Sequence, residues 1–414
     1  MAIAALSGWS SEQRHVVAAS FLGWTLDAFD FFILVFVLKD IALEFHTDVS
    51  DVTLAILLTL AVRPIGAFIF GRAADRWGRR PTLMVDVLLY SILEFASGFA
   101  PSLTVLIVLR ALYGIAMGGE WGVGASLTME SIPPHARGFV SGLLQSGYPT
   151  GYFIASILYG VLFQYIGWRG MFMVGVIPAL LVLYIRRTVP ESPSWSKESA
   201  KERGSTLTVL KSHWRLGIYA VLLMTAFNFF SHGTQDIYPT FLQVQHKLTP
   251  HVVGTIAVIY NIGAICGGIL FGTLSERFGR RRCMIIAALL ALPVIPLWAF
   301  SDSLVLLAIG AFLMQFAVQG AWGVIPVHLN ELSPQNARAT FPGFVYQLGN
   351  LLASVNATLQ ATIAEHFAGN YSLALAVVVG SVAIVIALLL AVGTEAKGVV
   401  FSKALTAQPT AGTG

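Results

Sequence analysis

"GRAADRWGRR", residues 71 to 80, recurs as "GTLSERFGRR" at residues 272 to 281, an offset of 201 residues. The same offset relates "GGEWGV" (118–123) to "QGAWGV" (319–324). It also relates Glu130, Pro133 and Arg137 to Glu331, Pro334 and Arg338. Separate matches in one register mark an internal duplication, and self-similarity of this kind has to be read before anything else.

What is duplicated is apolar. Charged residues make up 11% of the chain and hydrophobic ones 56%, against roughly 25% charged in an ordinary soluble domain. Mean hydropathy is +0.75. This is the composition of a polytopic membrane protein. At about 20 residues per crossing helix, hydropathy places spans near 16–38, 52–73, 82–99, 103–131, 138–164, 167–186, 214–241, 250–273, 282–299, 303–331, 338–366 and 370–393. The expected fold is an all-α membrane protein of twelve transmembrane helices in two pseudo-symmetric six-helix bundles. The first bundle is 1–186, a polar connection 187–213 follows, and 214–414 holds the second bundle and a short tail.

Of the 25 Lys and Arg, Lys39, Arg169 and Lys247 fall in odd-numbered connections, and Arg63 and Arg110 fall inside spans. The others lie at the termini and in even-numbered connections, so the positive-inside rule places both termini and the 187–213 connection in the cytoplasm. No cleavable signal pattern precedes the first span, which is expected to remain as a start-transfer helix. Cys266 and Cys283 sit in or beside apolar runs without metal-ligand spacing, and no disulfide is expected. Nothing in the chain points to a cofactor, a catalytic triad or nucleic acid. Parallel repeats place a small-molecule site at their interface.

Polar groups inside the spans are costly, about 2.5–3.5 kcal/mol for an ionisable group at membrane depth. "NFFSHGTQDIYPT" (228–240) concentrates them. Asn228, His232 and Asp236 recur at i, i+4, i+8, with Ser231 and Gln235 beside them, as one helical stripe. Such a stripe faces the bundle interior or water. Asp236 could equally be solvated near the outer surface, and His232 could be a structural histidine. Asp27 and Asp30 lie one turn apart, about 16 Å into span one. Two carboxylates that close cannot both ionise cheaply, so one is expected to hold a proton. The competing reading is a structural pair neutralised by Arg63 or Arg110.

Those arginines stay charged and bind carboxylates bidentately. Glu120 is either a second proton site or a partner of a buried arginine. The 201-residue offset sets Asn228 against Asp27, Ser231 against Asp30, Ala264 against Arg63, Ala311 against Arg110 and Ala321 against Glu120. Buried charges of the first half are therefore neutral in the second, whereas the loop motifs are kept in both. Aromatic lining by Phe29, Tyr113, Trp121, Tyr260 and Tyr346 is expected. Gly114, Gly118 and Gly122 form a stripe that allows close helix approach.

These motifs carry a resemblance. Gly71, Asp75, Gly78, Arg79 and Arg80 match the loop signature of the major facilitator superfamily. Gly272, Glu276, Gly279, Arg280 and Arg281 form a relaxed copy. Arg110, Gly114, Gly118, Glu130, Arg137 and Gly138 resemble its helix-four pattern, in which the arginine is tied to proton coupling. "PESPSW" (190–195) resembles the segment after span six of metabolite and sugar porters. More narrowly, Asn228, Ser231, His232, Thr234, Gln235, Asp236 and Thr240 are similar to the helix-seven signature of lactate/pyruvate:proton permeases in the sialate:proton symporter group. "DAFDFF" (27–32) fits that group too.

The resemblance implies a secondary transporter, not an enzyme. It would be a monomer in a bacterial inner membrane, moving a short monocarboxylate with a proton. Sialic acid carriers of the group carry extra spans, which favours the smaller cargo. Arg63, Arg110, Asn228, His232, Gln235, Tyr113 and Tyr346 are the expected substrate contacts. Asp27, Asp30, Glu120 and Asp236 are the expected proton sites. Asp75 with Arg79 and Arg80, Glu130 with Arg137, and their counterparts Glu276, Arg280, Glu331 and Arg338 are expected as ion pairs that latch the halves in one state. Another organic anion (a dicarboxylate, an aromatic acid, sialic acid) and a non-transporting sensor are the alternatives.

Overall fold

A computed structural model describes residues 8–195, 208, 211–399 and 401. Residues 196–207 of the expected 187–213 connection, and most of the tail beyond 399, lie outside the described residues.

Among the described residues the helices make up twelve crossings. In the first half they are α1 (Ser11–Glu44), α2 (Val49–Trp77), α3 (Arg79–Ser97), α4 (Leu103–Ser131), α5 (Arg137–Gln145) continuing as α6 (Gly147–Val174), and α7 (Pro178–Thr188). In the second they are α8 (Trp214–Gln235) with α9 (Tyr238–Val244), α10 (Pro250–Phe278), α11 (Arg280–Ala299), and α12 (Leu304–Trp322) with α13 (Ile325–Leu332). α14 (Thr340–Ala353) with α15 (Asn356–His366), and α16 (Tyr371–Val392), complete it. Nine of the described helical stretches are long and apolar enough to cross a bilayer. α3 is not among them, and it is the helix that buries Asp86 and Glu94. The expected helix 167–186 is not continuous. α6 turns sharply at Gly167, where φ is 63°, and the chain breaks again before Pro178 opens α7.

The loop motif builds the same turn twice. α2 ends at Trp77, Gly78 takes φ 114°, and α3 starts at the next residue. Gly279 takes φ 94° between α10 and α11. That backbone region is open to glycine and strained for other residues. A carboxylate then caps the new helix, accepting the N–H groups that no helical carbonyl can reach. Glu191, of "PESPSW", accepts from Arg79 N (2.9 Å) and Arg80 N (3.3 Å). Glu395 accepts from Arg281 N (3.1 Å). Burial pushes the Glu191 carboxyl above its ordinary range, and the N–H donors of Ser192, Arg80 and Arg79 oppose the shift.

Within each half α2 crosses α4, and α10 crosses α12, at backbone contact. A Cβ on Gly66 would overlap the main chain of Ile115, and one on Gly267 would overlap that of Phe316. Those two contacts are related by the repeat offset.

Between the halves, packing is confined to the motif-bearing end. α5 runs along α10, and α14 lies on α2 and α4. Gly138 faces Gly272, Gly142 faces Gly268, and Gly122 faces Gly343 so closely that a Cβ would collide. Further along the same spans, α15 packs on α8 and α16 of its own half, and α6 barely meets α10. The two bundles meet at the motif end and part toward the other.

Candidate functional site

The first half supplies charge. α1 carries Asp27 and Asp30, both fully buried. α2 brings Arg63 Nη2 to 3.5 Å from Asp27 Oδ2. Arg63 Nε has no protein partner, nor do Asp27 Oδ1 and both Asp30 oxygens. Arg110 does not accompany Arg63. It is fully buried, its Nη2 is 2.5 Å from Glu94 Oε2, and its guanidinium lies over Tyr113 (4.1 Å) and Phe172 (5.1 Å). The Tyr113 hydroxyl donates to Asp27 O at 3.4 Å. Arg110, Tyr113 and Phe29 are thus inside the bundle, not on its facing surface. Glu120 is inside as well, packed against α1 where Gly23 leaves room for its carboxyl.

The second half supplies polar groups on one side of α8. His232 Nδ1 is 3.1 Å from Asp236 Oδ1, and Nε2 is 3.0 Å from Asn350 Oδ1 on α14. The Gln235 amide donates to Ser231 Oγ (3.2 Å) and to Gln315 Oε1 of α12 (3.1 Å). The Gln319 amide reaches the same Ser231 Oγ at 3.3 Å. Asp236 is exposed and caps the end of α8. Asn228 is buried and turned back on its own helix, donating to Met224 O at 2.8 Å. Asn350, Gln315 and Gln319 carry no motif that would have marked them in the sequence.

The two sets face each other. Arg63 lies within electrostatic reach of His232 and Tyr346 across the interface. Tyr148 of α6 senses both Arg63 and Asp236. On the motif side the gap is closed by Tyr346, whose ring is 4.8 Å from Trp121 of the first half and 5.6 Å from Trp322 of the second. Arg63, His232 and Tyr346 thus come within reach of one another across the interface, with Asp27 behind Arg63. Such a region can hold a small anion by a guanidinium and orient it by amide and imidazole groups.

The motif end is an ion-pair network, which keeps the expected Asp75–Arg79 pair and otherwise differs from the pairing the sequence suggested. Asp75 accepts from Ala339 N (3.0 Å), Thr340 N (3.1 Å) and Thr340 Oγ1 (2.6 Å), at the start of α14 in the other half. Glu276 reciprocates by accepting from Gly138 N (2.5 Å) at the start of α5. Arg79 pairs with Glu130 (3.0 Å) and Asp75 (3.2 Å). Arg280 pairs with Glu331 and Glu276 (2.9 Å each). Glu130 does not pair with Arg137. It meets Arg338 of the other half at 3.7 Å, and Arg137 meets Glu331 at 4.0 Å. Arg80 takes no part and donates to Arg186 O at 2.5 Å. Ion pairs that cross between halves have to break when the halves part, which same-half pairs need not do.

Val399 and Phe401 cover this network. Arg137 Nη1 donates to Val399 O (2.7 Å), and the Phe401 ring lies 3.8 Å from the Arg137 guanidinium and 4.3 Å from that of Arg338. One aromatic ring thus bridges cations of opposite halves. Cation–π contacts contribute about 0.5–2 kcal/mol each. Phe401→Ala is expected to favour separation of the motif end by about 1–2 kcal/mol, roughly 5- to 30-fold in the closed-to-open ratio. Labelling of a cysteine placed at Ser141, which lies between the halves, should accelerate accordingly, and an unchanged rate would show that the ring is no clasp.

Against known proteins, the Major Facilitator Superfamily profile matches residues 20–249 and 221–410. The chain is 30% identical over 374 residues to "Carboxylic acid transporter protein homolog" of Saccharomyces cerevisiae, covering 84% of this chain and 61% of that one; it therefore spans less than two thirds of that relative. It is 27% identical to "Sialic acid transporter NanX" of Escherichia coli, over 94% of this chain and 96% of the relative. Among solved structures, the proton:xylose symporter XylE superposes with a TM-score of 0.78 at 18% identity, covering 94% of this chain and 97% of that one. NanX is matched over nearly its whole length, so the expectation that sialic acid carriers have additional spans does not hold for this relative.

Proposed function

Because the chain belongs to the Major Facilitator Superfamily, whose relatives here are transporters, we propose that it is a proton-coupled symporter of a short monocarboxylate such as L-lactate or pyruvate, working by alternating access. The observation that carries the proposal is Arg63. It is 3% exposed, it faces the other half, and only one carboxylate oxygen touches it, at 3.5 Å. A guanidinium in a low-dielectric site with donors to spare is suited to an incoming carboxylate. His232, Asn350 and Gln235 opposite it would orient the rest of a small anion.

The proton is needed on electrostatic grounds. An anion bound between the bundles adds a charge to a site that already holds Asp27 beside Arg63. Protonating Asp27 frees the arginine for the substrate and keeps the moving assembly near neutral, since uncompensated charge at membrane depth is costly. Loaded carrier then turns over with one anion and its accompanying proton. Motif loops rich in arginine belong on the cytoplasmic side of a cell membrane, bacterial inner in this reading, so the sealed end faces inward and the arrangement described here is open outward.

A second reading, a larger organic acid such as sialic acid, is favoured by the full-length likeness to NanX. Uptake into proteoliposomes under an inward acid gradient separates the two. L-Lactate and pyruvate are expected to accumulate with alkalinisation of the outer medium. Uptake of sialic acid with neither monocarboxylate carried would replace the first reading by the second. Uptake of a monocarboxylate with no proton movement would remove the coupling.

A further inference from the structure

The first bundle buries more acids than the proposed coupling needs. Besides Asp27, Asp30 and Glu94, it contains Asp86 on α3 and Glu120 on α4, both fully buried. None of the four oxygens of Asp86 and Glu120 has a protein partner. Glu94 pairs with Arg110 and Asp27 lies against Arg63, and among the described residues no cation stands within ion-pair distance of the others. Ionised acids buried without partners are too costly to persist, and Asp86 and Glu120 are therefore expected to carry protons.

Their heights form a series. Contacts between Gln13 and Ser131, and between Arg79 and Glu130, set the start of α1, the end of α4 and the start of α3 at one level. Counting from there at about 1.5 Å per residue, Asp86 lies about 10 Å in, Glu120 and Tyr90 about 16 Å, Asp27 about 24 Å and Asp30 about 28 Å. The Tyr90 hydroxyl, also fully buried and unpartnered, is within electrostatic reach of Asp30, Asp27, Glu120 and Asp86. Asp86 in turn senses Glu120 and Asp27. Glu120 occupies a niche opened by small residues: its Oε1 stands where a Cβ on Gly23 would be and close to Gly124, next to the unpartnered Ser20 hydroxyl.

We propose that Glu120 and Asp86, lying with the Tyr90 hydroxyl on the motif side of Asp27 and Asp30, form a second proton-binding site within the first bundle, one step nearer the motif-bearing end than the substrate region. The inference rests on the proton-coupled reading above and gives the proton a route of its own. When Glu120 or Asp86 gives up its proton toward the motif-bearing end, a proton released by Asp27 replaces it, so each O–H broken is matched by one formed. The substrate passes between the bundles while the proton passes inside one of them.

The charged and titratable groups around the pair are Asp27 and Ser20 from α1, Arg63 from α2 and Tyr90 from α3. α7 presents apolar Leu181 at this depth. Nearer the end lie His15 and Tyr184, joined at 2.6 Å, and then the Arg79–Glu130–Asp75 cluster, which closes the way out until the halves part. The repeat supports a dedicated role. Glu120 is matched by Ala321 and Asp86 by Ala287, so the second bundle keeps the same packing without either acid.

The test uses the purified full chain in lipid and the proton itself as probe. Infrared difference spectra between acid and alkaline pH are expected to show buried protonated-carboxyl bands in the wild type. Those bands should be lost in part in Glu120→Gln and in Asp86→Asn, with folding checked by melting temperature. Glu120→Asp, which keeps a carboxyl, should restore them. Difference spectra identical to wild type in both amide variants would overturn the proposal. So would loss of the band in Glu120→Asp as well, because that would mark the site as structural packing only. With L-lactate in proteoliposomes, wild type should accumulate it against a gradient, and the amide variants should reach no more than about a tenth of that ratio. Wild-type L-lactate flux without protons would sink the symport reading and leave the infrared result standing.

Discussion

Arg63→Gln is expected to weaken carboxylate binding by about 30-fold to several thousand-fold. Truncating one partner of a buried, hydrogen-bonded charge pair costs about 2–5 kcal/mol, and each 1.4 kcal/mol is tenfold. Two effects are folded into that cost. The substrate loses its guanidinium, and Asp27 loses the cation 3.5 Å away. Adding Asp27→Asn separates them. Removing the orphaned carboxylate should return the melting temperature toward wild type without returning affinity. Arg63→Lys keeps the charge and gives up the planar fork, so an intermediate loss of about tenfold is expected. Equilibrium binding of radiolabelled L-lactate, measured beside thermal unfolding for all three variants, gives the answer. Near-normal affinity in Arg63→Gln would take Arg63 out of the site. The same change at Arg110 should behave differently. Its partner Glu94 is 2.5 Å away and both are sealed within one bundle, so its removal should lower stability before it lowers affinity.

That difference between two buried arginines could not be read from the sequence. Both sit mid-span in apolar surroundings, and Arg110 even carries the stronger family signal. What separates them is the direction each side chain takes from its helix, together with the presence of Glu94 one helix away, a residue with no motif of its own. The legible features were those set by local rules. Period and length gave the crossings. The repeat offset carried the pseudo-symmetry that reappears in the Gly66–Ile115 and Gly267–Phe316 crossings.

The stripe on α8 was legible in part. His232, Ser231 and Gln235 do form one polar surface, but Asn228 turns back to Met224. Its register alone could not show that a buried amide finds a partner within its own helix. At the motif end the expected Asp75–Arg79 pair is present, whereas the expected pairs of Asp75 with Arg80 and of Glu130 with Arg137 are not. Asp75 was expected to meet Arg79 and Arg80, and Glu130 to meet Arg137. Spacing along one chain favours partners near in sequence, whereas Asp75 also reaches Thr340 and Glu130 reaches Arg338. Contacts between halves are set by how the bundles dock, which no local pattern encodes.

This docking leads to the second large effect, expected when Asp75→Asn is combined with Glu276→Gln. Each carboxylate does the same work for the opposite half. Asp75 closes the first turn of α14, and Glu276 closes the first turn of α5. A negative charge at a helix N-terminus is favourable by about 0.3–1 kcal/mol at the surface and up to about 2 kcal/mol when partly buried. The amide variants keep the shape and some of the hydrogen bonding, so what they remove is mainly charge. Because the carboxylates share no hydrogen-bond partner, their contributions are expected to add, for a total of about 2–4 kcal/mol, or roughly 30- to 1,000-fold in the ratio of sealed to parted motif ends. Spin labels at His135 and Gln335, both exposed and on equivalent turns of the two halves, should report longer distances by double electron–electron resonance. Labels at Tyr165 and Phe367, exposed toward the other end, should report shorter ones if the bundles rock about a fixed centre. Each single variant should move both distributions part of the way. If the His135–Gln335 distance lengthens while Tyr165–Phe367 stays fixed, the motif end has frayed without rocking, and the carboxylates hold local structure instead of the balance between two states. If neither distance moves, the reciprocal caps are incidental to that balance, and the Gly138–Gly272 and Gly122–Gly343 contacts must be holding the halves together on their own.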